Sequence, residues 1–120
     1  MQYLGSSRSG GFEWLAQRVT GVALVVILAV HFILLHYTGG GPVTYDAVAP
    51  RLADPYYKAL QMLFLLLGLY HAMNGVKLLI DDYVHAPGWR AFWTGLSWVA
   101  TVAFFIFGAI TVLTFSYQAA

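Results

Sequence analysis

Cysteine is absent from this 120-residue chain. Neither an iron–sulfur cluster nor a thioether-linked c-type haem can be built on it, so any transition metal must be held through histidine. The absence does not identify a redox compartment. Charge is scarce as well: Asp, Glu, Lys and Arg together make 9% of the residues, against roughly 25% in an ordinary soluble domain. Six Lys plus Arg stand against five Asp plus Glu, a balance that favours neither nucleic acid nor an acidic partner. There is no internal repeat, low-complexity tract or second domain, and residues 1–120 read as a single unit. What is abundant is apolar: 60% of the residues are hydrophobic. Such a composition belongs in a lipid bilayer.

Apolar runs of about 20 residues predict three membrane-spanning helices, at roughly 13–37, 57–80 and 91–117. The first apolar run begins only after Trp14 and is too long for a signal-peptide core, so no cleavable signal is expected. The first span opens after Gly10-Gly11 and should stop at Thr38-Gly39-Gly40-Gly41-Pro42. The second follows Asp54-Pro55, with Tyr56 and Tyr57 as interfacial anchors. The third follows Pro87-Gly88 and carries Trp89, Trp93 and Trp98 near its start. Between the first two, Val43, Ala47, Val48 and Leu52 fall near helical spacing, which predicts a short interfacial helix. Arg8, Arg18, Lys77 and Arg90 lie on one side of the spans, Arg51 and Lys58 on the other. The positive-inside rule then puts the N-terminus and the 81–90 loop on the cytoplasmic or matrix side.

Chemistry concentrates on the second span, in the run His71-Ala72-Met73-Asn74-Gly75-Val76-Lys77-Leu78-Leu79-Ile80-Asp81-Asp82-Tyr83. An imidazole in hydrocarbon is costly and is seldom left without a metal, a proton path or a partner. Gly68, Asn74 and Gly75 share its helical face. The small residues leave room beside the ring for a porphyrin, or equally for a closely packed neighbouring helix. Asp82 returns near the face of His71 if the helix continues that far, with Asp82 and Tyr83 ~17 Å along the axis. A carboxylate beside a phenol can hydrogen-bond a quinone carbonyl and help deliver protons. The same three residues can also be an ordinary interfacial helix end.

The His-x-x-x-Gly-x-x-x-x-x-Asp-Asp-Tyr run of 71–83 and the entry Trp14-Leu15-Ala16-Gln17-Arg18-Val19-Thr20-Gly21 resemble the small hydrophobic membrane anchor of succinate dehydrogenase, of the D type. The Asn74-Gly75 pair and the positions of His31, Phe32 and His36 are similar to a bacterial branch of it. The resemblance implies an all-α integral membrane protein in a bacterial inner membrane, packing with a second anchor subunit into a helix bundle. It implies that the complex also holds an iron–sulfur subunit and a flavoprotein subunit, and passes electrons to ubiquinone or menaquinone. It implies His71 as an axial ligand of haem b, Tyr83 and Asp82 at the quinone, and Arg18 near the haem propionates and the quinone. A guanidinium suits that last role because it can pair bidentately with a carboxylate.

Some anchors of this family carry two haems, and here the first span has two further histidines. His31 shares a face with Thr20 and lies ~20 Å from Arg18 along the helix, whereas His36 lies ~27 Å away and points ~140° from His31. His31 is therefore the candidate second metal ligand, against a reading in which it hydrogen-bonds a neighbouring helix. His36, beside Tyr37, reads as an interfacial residue and His85 as a solvated loop residue. Succinate oxidation needs a flavin and a dicarboxylate site, for which this chain has too few residues and charges, so no catalysis by the chain alone is expected. The quinol:fumarate reductase direction, and a scaffold without redox chemistry, remain as alternatives.

Overall fold

The computed structural model describes residues 10–38 and 41–118; Arg8, Gly39 and Gly40 lie outside them. Within that range the chain forms four helices: α1 (Gly11–His36), α2 (Tyr45–Ala53), α3 (Pro55–Tyr83) and α4 (Pro87–Thr114). Three of them, α1, α3 and α4, are long and apolar enough to cross a membrane. The chain is an all-α integral membrane protein.

Each helix end has a local chemical cause. Gly10 enters α1 at φ +67°, in the left-handed region where a side chain is disfavoured. At the other end of α1, the Leu34 carbonyl accepts from the Thr38 hydroxyl and from the Arg51 guanidinium, which ties α2 to the C-terminus of α1. Thr44 caps α2 by accepting from the backbone N–H of Ala47. Asp54 ends α2 and caps α3, its Oδ1 accepting from Tyr57 N–H at 2.9 Å. Pro55 and Pro87 both occupy first-turn positions, where a missing N–H costs nothing.

Two boundaries differ from the hydropathy reading. The second span does not stop at 80; α3 stays helical through Tyr83. Its 29 residues extend to ~43 Å, well over the ~30 Å of hydrocarbon, so the helix is long enough to carry the polar Asp81-Asp82-Tyr83 turn past the apolar layer. The third span is shifted toward the N-terminus, at 87–114 instead of 91–117. Lys58 Nζ donates to the Phe115 carbonyl at 2.6 Å and to that of Leu113 at 3.4 Å. A cation there suits the negative end of the helix dipole.

The long helix α3 is central, packing against α1 along one side and α4 along the other. Opposite ends meet in both seams, since Lys77 lies 3.6 Å from Glu13 and Asp81 lies 3.8 Å from Arg90. The path is therefore up, down and up. Very little is enclosed: among the described residues the buried ones are Ile27, Ala49, Tyr57 and Met73, with Thr20 and Asn74 the polar pair. None of the described residues of α4 is buried. An apolar helix with no buried side meets either lipid or another membrane protein.

Candidate functional site in the seam between α1 and α3

Gln17, Thr20 and Gly21 lie at i, i+3 and i+4 and so share one face of α1. The face of α3 opposite them carries His71, Asn74 and Gly75. The close approach uses Gly21, where a Cβ would come within 3.2 Å of His71 Cε1. The imidazole thus turns its Nδ1–Cε1–Nε2 edge toward α1, at a distance that a side chain at position 21 would crowd. Gly75 plays the reciprocal part, since a Cβ there would sit 3.2 Å from Gln17 Nε2, while one at Gly68 would meet Leu24 at 3.9 Å. Both glycines beside His71 are thus occupied by α1, and the clearance they create serves helix packing.

Both ring nitrogens of His71 have partners on α1. Nδ1 lies 3.0 Å from Thr20 Oγ1, and Nε2 lies 3.3 Å from Gln17 Nε2. Thr20 in turn donates to the Ala16 carbonyl at 2.6 Å. Asn74 Nδ2 donates to the Glu13 carbonyl and to Gln17 Oε1, both at 2.9 Å. With Thr20 8% and Asn74 6% exposed, each would be costly if unpaired, and both have partners. Sequence reasoning gave Gln17 and Thr20 no role of their own, although their signal was present as a polar stripe on an otherwise apolar helix.

The other candidate residues stand apart from this cluster. Tyr83 is 78% exposed, and Asp82 is exposed beside it at the end of α3. Asp81, not Asp82, faces Arg90, whose Nε also donates to the Val84 carbonyl at 3.1 Å and closes the α3–α4 turn. Arg18 is exposed, its guanidinium stacked 4.2 Å over the Trp14 ring. His31 lies nearer the other end of the seam, where its Nδ1 is 2.9 Å from the Tyr57 hydroxyl and its ring stacks on Tyr57 and Phe64. His31 and Thr20 therefore do face the same helix, as their spacing predicts. His36 is exposed, bonded to the carbonyl of Phe32 in its own helix and stacked on that ring at 4.2 Å. His85 is exposed in the turn.

Among the described residues no three His, Asp or Glu side chains converge as a bare metal ion would need. A porphyrin-held iron asks less of the protein, one axial ligand from each side. The fit of His71 to that role rests on its nitrogens. Nε2 has one partner, a flexible side-chain amide at 3.3 Å, longer than the 3.0 Å contact at Nδ1. Nδ1 has the shorter contact, to a hydroxyl oxygen that can accept its proton and so leave Nε2 as the ligating atom. A separate cavity of about 430 Å³ runs between the start of α1, α3 and α4, with Tyr70, Met73, Asn74, Lys77 and Trp98 among its walls. His71 is not part of its lining.

The sequence matches a family described as the succinate dehydrogenase/fumarate reductase transmembrane subunit over residues 2–114. Among curated proteins, it is similar to the succinate dehydrogenase hydrophobic membrane anchor subunit of Archaeoglobus fulgidus, with 36% identity over 69 residues, 58% of this chain and 59% of that one. The protein of the same name from Rickettsia conorii is 32% identical over 80 residues, 67% of this chain and 63% of that one. That of Thermoplasma acidophilum is 32% identical over 74 residues, 61% of this chain and 60% of that one. The chain thus spans about six tenths of the length of these relatives.

Proposed function

The chain belongs to the succinate dehydrogenase/fumarate reductase transmembrane subunit family, and from that we propose that it is a membrane anchor of a succinate:quinone oxidoreductase, supplying a ligand to haem b and part of the quinone site. The observation that carries the haem reading is the His71 imidazole, clasped between α1 and α3 with Nδ1 on Thr20 and Nε2 on an exchangeable amide. His71 would hold the iron through Nε2, and Arg18 would pair with a propionate. A b-type haem supplies a one-electron carrier within the bilayer.

Asp82 and Tyr83 act at the end of α3. Their turn is helical and exposed, so a phenol O–H and a carboxylate are presented together outside the apolar layer. The Tyr83 hydroxyl donates to a quinone carbonyl, and Asp82 accepts and relays the protons that quinone reduction consumes. Ubiquinone and menaquinone present equivalent carbonyls to these groups.

The exposed surface of α4 supports the reading that the chain has partners in the membrane. None of the described residues of α4 is buried, and Phe104, Phe107, Ile110 and Leu113 are exposed along it. Lipid and a second anchor subunit cover that surface, while an iron–sulfur subunit and a flavoprotein supply electrons at the Asp82–Tyr83 end. His31 enters as a second iron ligand only if the complex holds two haems. Its Tyr57 bond is compatible with that, because a phenol can accept from Nδ1–H as well as donate to it.

Reduced-minus-oxidised absorbance of the purified complex tests the central assignment. His71→Ala should remove the b-type spectrum; an unchanged spectrum and occupancy would overturn the ligand role. Tyr83→Phe should lower quinone reduction while succinate oxidation by a soluble artificial acceptor stays near wild type. Equal loss in both assays would mean failed assembly and withdraw the support for a quinone role. Haem stoichiometry decides His31: one haem dismisses it as a ligand and two promote it.

A further inference from the structure

We propose that Thr20 is a positioning residue for His71: its hydroxyl holds the ring proton on Nδ1 and so keeps the Nε2 lone pair free for iron. The inference rests on the haem reading above and deepens it.

Donor and acceptor polarity is fixed at both ends of the hydrogen-bonded chain that runs through His71. At one end stands the Ala16 carbonyl, which can only accept. Thr20 has a single hydroxyl proton, and the 2.6 Å contact commits it to that carbonyl. Toward His71, 3.0 Å away, the Thr20 oxygen then has only lone pairs to offer. Nδ1 must therefore carry the proton.

At the other end stands the Glu13 carbonyl, again an acceptor only. Asn74 must turn its NH₂ toward it, and the second proton of that NH₂ goes to Gln17 Oε1. With Gln17 oriented by this contact, it presents its own NH₂ to His71 Nε2. Nε2 must therefore be an acceptor. Two independent ends demand the same tautomer, Nδ1–H with an unprotonated Nε2, and this is the form in which an imidazole binds a metal through Nε2.

The contact lengths point the same way. Four of them measure 2.6 to 3.0 Å, and the one at Nε2 measures 3.3 Å. The contact that iron must replace is the weakest of the five. The Gln17 amide is thus the group that would have to give way at Nε2 for a ligand to bind there.

An Nδ1–H that donates to oxygen makes Nε2 a stronger electron donor, which favours the more highly charged oxidised iron. Losing the hydroxyl should therefore weaken haem binding and raise the midpoint potential. The test compares wild type, Thr20→Val and Thr20→Ser in the purified complex, reading haem per flavoprotein subunit and the haem midpoint by optical redox titration. Thr20→Val should weaken haem affinity roughly 10–100-fold. A tenfold preferential loss from the oxidised state raises the potential by about 59 mV for one electron. Thr20→Ser, which keeps the hydroxyl, should restore both values. If Thr20→Val does not assemble, Thr20→Ala also lacks the hydroxyl and carries the same expectations.

Wild-type potential and occupancy in Thr20→Val would overturn the proposal. So would a Thr20→Ser shift as large as that of Thr20→Val, which would make the effect one of packing. The haem reading fails separately, through a b-type spectrum that survives His71→Ala.

Discussion

Gly21→Ala measures how firmly the His71 ring is held. The added Cβ would lie 3.2 Å from His71 Cε1 and 3.8 Å from Nδ1. Carbon atoms pack best at roughly 3.5–4.0 Å, so the first contact is short by about 0.3–0.8 Å. The ring cannot swing aside freely, because Thr20 at 3.0 Å and Gln17 at 3.3 Å hold its two nitrogens. Moving it by that amount would stretch the Thr20 contact beyond the ~3.2 Å limit of a good N–H···O bond. Moving α1 outward instead would open the whole seam. Overpacking of this kind costs about 1–3 kcal/mol. Replacing Gly by Ala also gains up to about 1 kcal/mol of helix propensity, so a reference substitution is needed. Gly95 provides one, since a Cβ there would meet nothing within 4 Å in this chain. Both variants share the helix gain, and the difference between them isolates the clash. In detergent-solubilised complex, denaturant midpoints should place Gly21→Ala below Gly95→Ala by about 1–3 kcal/mol. Equal stability, or the reverse order, would show that the ring yields easily and would refute a tightly held seam.

Three further outcomes concern the scaffold around the site. Lys58→Met removes the cation that bonds the Phe115 and Leu113 carbonyls; it should cost about 0.3–1 kcal/mol, seen as faster amide hydrogen exchange confined to the last turn of α4. At Gly108 a Cβ would come within 2.8 Å of a Leu65 methyl carbon, so Gly108→Ala should destabilise. Leu65→Ala should partly rescue it, with a favourable coupling of at least ~0.5 kcal/mol in a double-mutant cycle. The Asp81–Arg90 pair is 3.8 Å apart with side chains 42% and 43% exposed, so a cycle of Asp81→Asn and Arg90→Gln should give a coupling below ~1 kcal/mol. Added salt should reduce it further.

Hydropathy made the three spans legible because the bilayer demands a length of apolar chain whatever packs against it. It misplaced the ends of α3 and α4 because it reports the edge of the hydrocarbon, while a helix ends where its backbone groups find other partners. Asp81 and Asp82 are polar but remain in helix, and Lys58 takes the α4 carbonyls before the apolar run is over. His71 was conspicuous as a lone imidazole in an apolar run. Its partners were not, because Gln17 and Thr20 acquire meaning only once α1 and α3 are set side by side. The glycines show the limit of local spacing most clearly. Gly68 and Gly75 could have flanked a porphyrin or a helix, and the register of α1 turns both toward the helix. Asp82 and Tyr83 gain least from the fold of the single chain, since they face away from it.

The clasp between α1 and α3 also bears on how the protein is made. Gln17 enters the bilayer with α1, yet the imidazole it bonds lies 54 residues downstream. At about 5–20 residues per second of synthesis, that separation amounts to roughly 3–11 s. During that interval the Gln17 amide lacks its α3 partners and must be sheltered by the insertion machinery or by water at its edge. The α1–α3 hairpin is the first unit that can close, and its closure turns a helix with a polar stripe into one whose remaining faces suit lipid. Helix α4 meets α3 without any such polar requirement in the bilayer, so its arrival sets no comparable deadline.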